Sequence, residues 1–154
     1  MTGERRSNRD ALLRSFEILN TGEYEKLDDV IDKDVITEWP QSGELLRGLE
    51  NYRSVLRNYP GGRLNLKSNE QLIIEGDKER YLLTPMYTMV KVEGTGDSLT
   101  ATVKTRYPDG SDWYINEFLT FRDGKIVKQV MYFAPVYEAP EWRSQWVELM
   151  EGGS

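Results

Sequence analysis

Apolar residues recur at helical spacing over the first third of the chain and at alternating positions over most of the rest. In SNRDALLRSFEILNTG, Leu12, Phe16 and Leu19 share one helical face, Ser7 with Asp10 gives a capping-box start, and Gly22 gives a stop. YEKLDDVI repeats the helical period with Tyr24, Leu27 and Ile31. DVITEWP changes to a β-branched run closed by Pro40. GLENYRSVLRNYPGG returns to helix, with Leu49, Tyr52, Leu56 and Tyr59 at steps of three or four until Pro60-Gly61-Gly62 breaks the pattern. Beyond it the pattern predicts strands near 64–75, 79–92, 98–107, 112–122 and 125–134. EGDKE, EGTGD, YPDGSD and RDGK punctuate them, each a turn whose Gly and Asp suit positive φ. Helices first and a strand meander afterwards predict an α+β fold, with the helices packed on one face of a curved antiparallel sheet.

The final stretch, APEWRSQWVELM, places Pro140 at a first helical position and Trp142 and Trp146 one turn apart. It predicts a helical tail over 138–150 that docks on the domain or on a partner. With 154 residues and no internal linker, the chain is expected to form one domain, 1–154, with its core over about 8–135.

Composition narrows the chemistry. Acidic residues number 26 against 20 basic ones, for a net charge of −6, and residues 17–50 hold ten carboxylates against three bases. Such a chain repels a phosphate backbone, so no nucleic-acid partner is expected. No apolar run is long enough for a bilayer and the N-terminus has no signal-peptide core, which predicts a cytoplasmic protein with no membrane partner. The chain has no cysteine and no histidine. That excludes disulfides, zinc–thiolate sites, cysteine nucleophiles and histidine-based triads, and it removes the usual proton shuttle near neutral pH. Neither metal nor cofactor is expected, and carboxylates and tyrosines remain as proton carriers.

The run FEILNTGEYEKLDDVIDKDVITEWPQSGELLRGLENYRSVL, followed by NEFLTFRDGKIVKQVMYF, resembles the nuclear transport factor 2-like superfamily, and within it the SnoaL-like, polyketide cyclase-like group. The resemblance implies a cystatin-like cone, a curved sheet wrapped around helices, with a pocket at the open end and a homodimer packed sheet on sheet. That superfamily includes steroid isomerases, dehydratases, epoxide hydrolases, cyclases and members without known chemistry, so fold alone selects no reaction. Set on the steroid isomerase pattern, Ser15 falls where that enzyme has its oxyanion tyrosine, Trp39 where it has its general base, and Glu117 where a protonated acid supports the oxyanion.

In DWYINEFLTF, alternation puts Trp113, Ile115, Glu117, Leu119 and Phe121 on one strand face. A carboxyl among such neighbours is desolvated and suited to act as an acid, unless an Arg or Tyr holds it for structural reasons. Trp39 either forms a flat apolar pocket wall with one N–H donor or plugs the core, and Glu38 should point to the opposite face. Gln129, Met131 and Phe133 alternate inward on the last strand, where Gln129 either orients a ligand carbonyl or bonds to Glu117 or backbone. Tyr52 and Tyr87 are either donors to an oxyanion or core residues with satisfied hydroxyls. Arg106 and Asp112 are candidates to pair with Glu117 or a ligand. Four Trp and nine Tyr, with Tyr114, Phe118 and Tyr132 facing away from the helices, suggest a sheet covered on both sides. The reading that follows is a small hydrophobic, cyclic molecule bound in the cone, open to acid–base isomerisation, cyclisation, dehydration or hydrolysis; the alternative is a non-catalytic binding or dimerisation module.

Overall fold

The structure is a computed structural model that describes residues 7–60, 72–76, 79–83, 87–107 and 110–150, with side chains described outside 61–90. It opens with helix α1 (Asn8–Thr21), whose N-cap Ser7 hydroxyl accepts the Asp10 amide at 3.1 Å. Gly22 ends it at φ 77°, donating its amide to Ile18 O at 2.9 Å. The buried face of α1 comprises Ala11, Leu12, Ser15, Phe16, Ile18 and Leu19. A short 3-10 helix, Tyr24–Asp29, follows where a second α-helix was expected. Tyr24 and Leu27 are buried one turn apart, and Ile31 already belongs to the first strand, so no residues remain for a longer helix.

Strand β1 (Ile31–Trp39) turns at Pro40 into β2 (Glu44–Arg47), a strand the sequence pattern did not predict, and α2 (Leu49–Arg57) comes next. Then follow β3 (Leu72–Gly76), β4 (Glu79–Leu83), β5 (Tyr87–Thr95), β6 (Ser98–Arg106), β7 (Asp112–Arg122) and β8 (Lys125–Pro135). The segment expected as one strand over 79–92 is thus divided into β4 and β5. The start of the strand expected near 64–75 lies outside the described residues.

These strands form one open, curved sheet in the order β2-β1-β8-β7-β6-β5-β4-β3. The α+β class is as expected, but the sheet is mixed. β1 lies parallel to β8, with Thr37 opposite Gln129, while every other neighbouring pair is antiparallel. Local periodicity cannot report this pairing, because it joins the two ends of the fold. The RDGK turn between β7 and β8 has two consecutive positive φ angles, 53° at Asp123 and 81° at Gly124, which match the twist of a tight hairpin.

Alternation along β6, β7 and β8 sends Val103, Ile115, Leu119 and Met131 to the concave side, and a register shift between β7 and β8 at Thr120/Phe121 brings Ile126 to it as well; there they meet α1 and α2. Arg53 of α2 is also buried; it pairs with Asp28 of the 3-10 helix and with Glu50, tying α2 to the preceding segment. The tail differs from the helix expected over 138–150. Only Glu141–Arg143 form a 3-10 turn, and Trp142 and Trp146 are 74% and 72% exposed. A peptide this short is marginal as an isolated helix, and this chain gives the indoles no surface to dock on. Among the described residues, no helix is long and apolar enough to cross a membrane.

Candidate functional site

Where β1 and β8 end and β7 begins, the helices and the concave sheet enclose an apolar cavity of about 420 Å³. Phe16 and Leu19 enter it from α1, Tyr52, Val55 and Leu56 from α2, and Trp39 from β1. Trp113, Ile115 and Glu117 of β7 and Met131 and Phe133 of β8 form the sheet side.

Glu117 pairs in register with Ala101 on one side and Met131 on the other, so strand alternation alone fixes its inward direction. It is 4% exposed, and its Oε2 is buried without a hydrogen-bond partner. Burial pushes the carboxyl up from its ordinary value to about 8, so at neutral pH the protonated form predominates. The bonding that would make this a structurally held carboxylate is missing at Oε2.

Trp39 is half-buried and lines the cavity without filling it, its ring edge-to-face with Phe133 at 6.2 Å. Its indole N–H points to Met131 Sδ at 3.5 Å, so that donor is turned into the wall. The N–H of Trp113 is used in the same way, donated to Ser111 Oγ at 2.9 Å. Glu38 faces away, as alternation requires, and pairs with Lys128 at 3.3 Å.

Tyr52, Met131 and Phe133 line the same cavity as Glu117 and Trp39. Gln129 does not. Although it points inward as expected, it lies one residue pair deeper, buried, and donates its amide to Thr37 Oγ1 at 2.8 Å. Beside it is a separate void of about 10 Å³, shared with Ser15, Tyr52 and Glu117 and about the size of one water. The side chain of Tyr87 lies outside the described residues. Arg106 and Asp112 reach neither Glu117 nor the cavity. Directly opposed on β6 and β7, they bond to each other at 2.8 and 3.1 Å; that hydrogen bond lowers the Asp112 pKa and raises that of Arg106.

Sequence reasoning missed Tyr107, Tyr59 and Gln41. Tyr107 stacks on Tyr59 at 5.6 Å and meets Trp113 edge-on at 5.9 Å, forming an aromatic wall. Burial, then the Tyr59 and Glu117 charges, push the Tyr107 phenol above its usual value. Both tyrosines directly precede a proline at an element end, in NYPGG and RYPDG; Tyr59 continues the apolar spacing of α2 just past its last turn, whereas Tyr107 has no periodic pattern to orient it. Gln41 bonds through its side-chain amide to both the carbonyl (2.7 Å) and the amide (2.5 Å) of Phe133, fastening the β1–β2 turn to β8. Among the described residues no cluster of His, Cys, Asp and Glu could hold a metal ion.

A curved open sheet around helices, with a cavity at one end, defines a cone of the nuclear transport factor 2-like kind. The chain belongs to the SnoaL-like domain family, which matches residues 12–129. An NTF-2-like protein of unknown function from Burkholderia xenovorans LB400 is 26% identical, with 93% of this chain and 94% of that one covered at a TM-score of 0.70. A candidate ketosteroid isomerase from Kribbella flavida DSM 17836 is 22% identical over 93% and 89% of the two chains, at 0.68. An LEH-like epoxide hydrolase from M. tuberculosis is 13% identical over 80% and 79%, at 0.54. The last two likenesses are of fold. No curated protein matches the chain.

Proposed function

We propose that this SnoaL-like chain encloses a largely apolar, cyclic small molecule in its cone, and that Glu117 gives or takes a proton on it. The observation carrying this reading is a buried carboxyl with an unpartnered oxygen on the wall of an open apolar cavity. Leaving such a group unsatisfied costs about 1–3 kcal/mol, which a ligand's polar atom would offset. A carboxyl raised to about 8 exchanges protons near neutrality, as general acid–base work requires. The ring-rich walls suit a flat or cyclic partner. Isomerisation, cyclisation, dehydration and hydrolysis all draw on such a group, and proteins named for isomerase and epoxide hydrolase activities share the fold.

Carboxyl-labelled NMR tests the proton role, with ligand recovered from freshly purified protein by native mass spectrometry. Glu117 is expected to titrate near 8 in the free chain and to shift on binding. A free-solution value unmoved by ligand would remove Glu117 from the site.

A second reading, binding without chemistry, has its own support. Ser15 donates its hydroxyl to Leu12 O within its own helix at 2.6 Å, and the Trp39 N–H is turned to Met131. The two positions that the resemblance matches to an isomerase's oxyanion donor and base thus present no proton-transfer group to the cavity. Glu117→Gln separates the readings: an enzyme loses roughly 10²–10⁴-fold in rate, whereas a binder changes only in affinity and its pH dependence.

We further propose an isologous homodimer through the convex sheet face. Tyr114, Phe118 and Tyr132 are exposed there, with Phe118 and Tyr132 in edge-to-face contact at 6.0 Å.

A further inference from the structure

Beside the hydroxyls of its tyrosines and Ser42, the cavity offers a ligand chiefly aromatic ring surface and carboxyl oxygen. Eight of its lining residues are aromatic, and five of them, each from a different part of the fold, form walls: Trp39 with Phe133, and Tyr107 with Tyr59 and Trp113. Both indole N–H groups are spent inside the walls, on Met131 and Ser111, so these two rings present π-surface in place of donors. The ionisable acids of the lining are Glu117 in its depth and Glu44 at its rim, and among the described lining residues there is no Lys or Arg. An anion meets no cationic side chain among the described lining residues, and a neutral carbonyl meets hydroxyl and protonated-carboxyl donors only. A cation is attracted both by the ring faces, whose quadrupoles are negative, and by a carboxylate.

We propose that the cavity selects a cationic, largely apolar ligand, an amine or quaternary ammonium, with its charge held among the aromatic rings and Glu117 as counter-ion. The inference rests on the reading that the cone encloses a small molecule, and it specifies that molecule's chemistry. Binding then carries a defined proton balance. The Glu117 carboxyl, protonated in the empty cavity, releases one proton to solvent as the cation arrives, and no bond within the ligand changes. The titratable groups around Glu117 are Tyr107 after β6, Tyr52 on α2, and Tyr24, Tyr59 and Glu44 elsewhere in the lining. Tyr107 stays neutral across the working range because its pKa is raised.

The test uses the full chain and three probes of similar size, measured by calorimetry: benzyltrimethylammonium, the neutral ketone 1-phenylpropan-2-one, and the anion phenylacetate. The quaternary probe has no proton of its own, so any pH dependence belongs to the protein. Near pH 8 the cation should bind roughly tenfold or more tightly than the ketone, and phenylacetate most weakly. Its affinity should rise about tenfold per pH unit and level off above about 8, with about one proton released, as one linked carboxyl requires. Glu117→Gln should abolish that rise and reduce the cation's advantage while the ketone still binds, which shows that the variant is folded. Trp113→Leu should weaken the cation more than the ketone. A ketone that binds as tightly as the cation, or a cation affinity flat with pH, would overturn the inference and leave the enclosing role intact. Failure of all three probes to bind would overturn both.

Discussion

Glu117 has burial as the sole cause of its shift, since its neighbours in register are Ala101 and Met131 and its Oε2 has no partner. That makes it a liability for the fold as well as a resource for the site. Its folded pKa of about 8 lies above the ordinary value of 4.5, so the folded state binds the extra proton. The carboxyl's contribution is therefore fully present below about 4.5 and is lost as pH rises through about 8. Glu117→Gln keeps the shape and removes the charge. Thermal melts should show the wild-type chain losing stability across this window and the variant losing less. The variant should gain roughly 2–4 °C in melting temperature at the alkaline end for each kcal/mol recovered. Parallel pH profiles would mean that Glu117 is solvated in the native chain. Local pattern was enough to place this residue, because period-two alternation in DWYINEFLTF fixes a direction once the strand is recognised. It could not place Tyr107, which stands past the end of β6 beside a proline and takes its direction from stacking on Tyr59.

At the scale of elements, the turns decide what can pair. Gly94, in the β5–β6 hairpin, has φ 113°, and a Cβ there would stand 2.3 Å from the Ser98 carbonyl oxygen. Gly96, two residues on, also has positive φ, 61°, but a Cβ would meet nothing within 4 Å. Gly94→Ala should therefore cost at least about 1–3 kcal/mol in urea unfolding and clearly more than Gly96→Ala, which bears only the left-handed penalty of about 1–2 kcal/mol. Equal costs would show that the hairpin relaxes around the new methyl. Hairpins of this kind were legible because their signals sit within a few residues of one another. β2 was not: ELLR is short and gains its strand character by lying antiparallel on β1, with Glu38 opposite Leu45. The tail erred the other way. Trp142 and Trp146 have helical spacing, yet spacing forms a helix only where a surface receives the stripe, and here both indoles face solvent.

The whole molecule carries two apolar surfaces of opposite kind, a concave one that holds the cavity and a convex one that meets solvent. Phe118 is 48% exposed at the centre of the latter, across from Thr100 and Val130 in register. If the convex face joins two copies, Phe118→Glu should convert the assembly to a monomer in sedimentation at micromolar concentration, while the cavity keeps its ligand. A wild-type chain that already sediments as a monomer would refute the dimer. Composition hinted at this face through its surplus of aromatics, and strand parity assigned Tyr114, Phe118 and Tyr132 to it. The family match across residues 12–129 agrees with the resemblance visible in the sequence, because the order of helices, strands and turns is itself the family's signature.

The parallel seam between β1 and β8 has a consequence in time. Thr37 with Gln129, Trp39 with Met131 and Gln41 with Phe133 each join residues 92 positions apart. Closing so long a loop is entropically slow, and contacts of this separation form late in folding. During synthesis the first strand must wait, with only β2 beside it, until nearly the whole sheet has left the ribosome. Glu117 is walled in on its second side by the same strand that closes the seam. The cavity is therefore expected to close only once β8 has joined β1 to β7, and a chain stopped before β8 should have most of the sheet and an unclosed site.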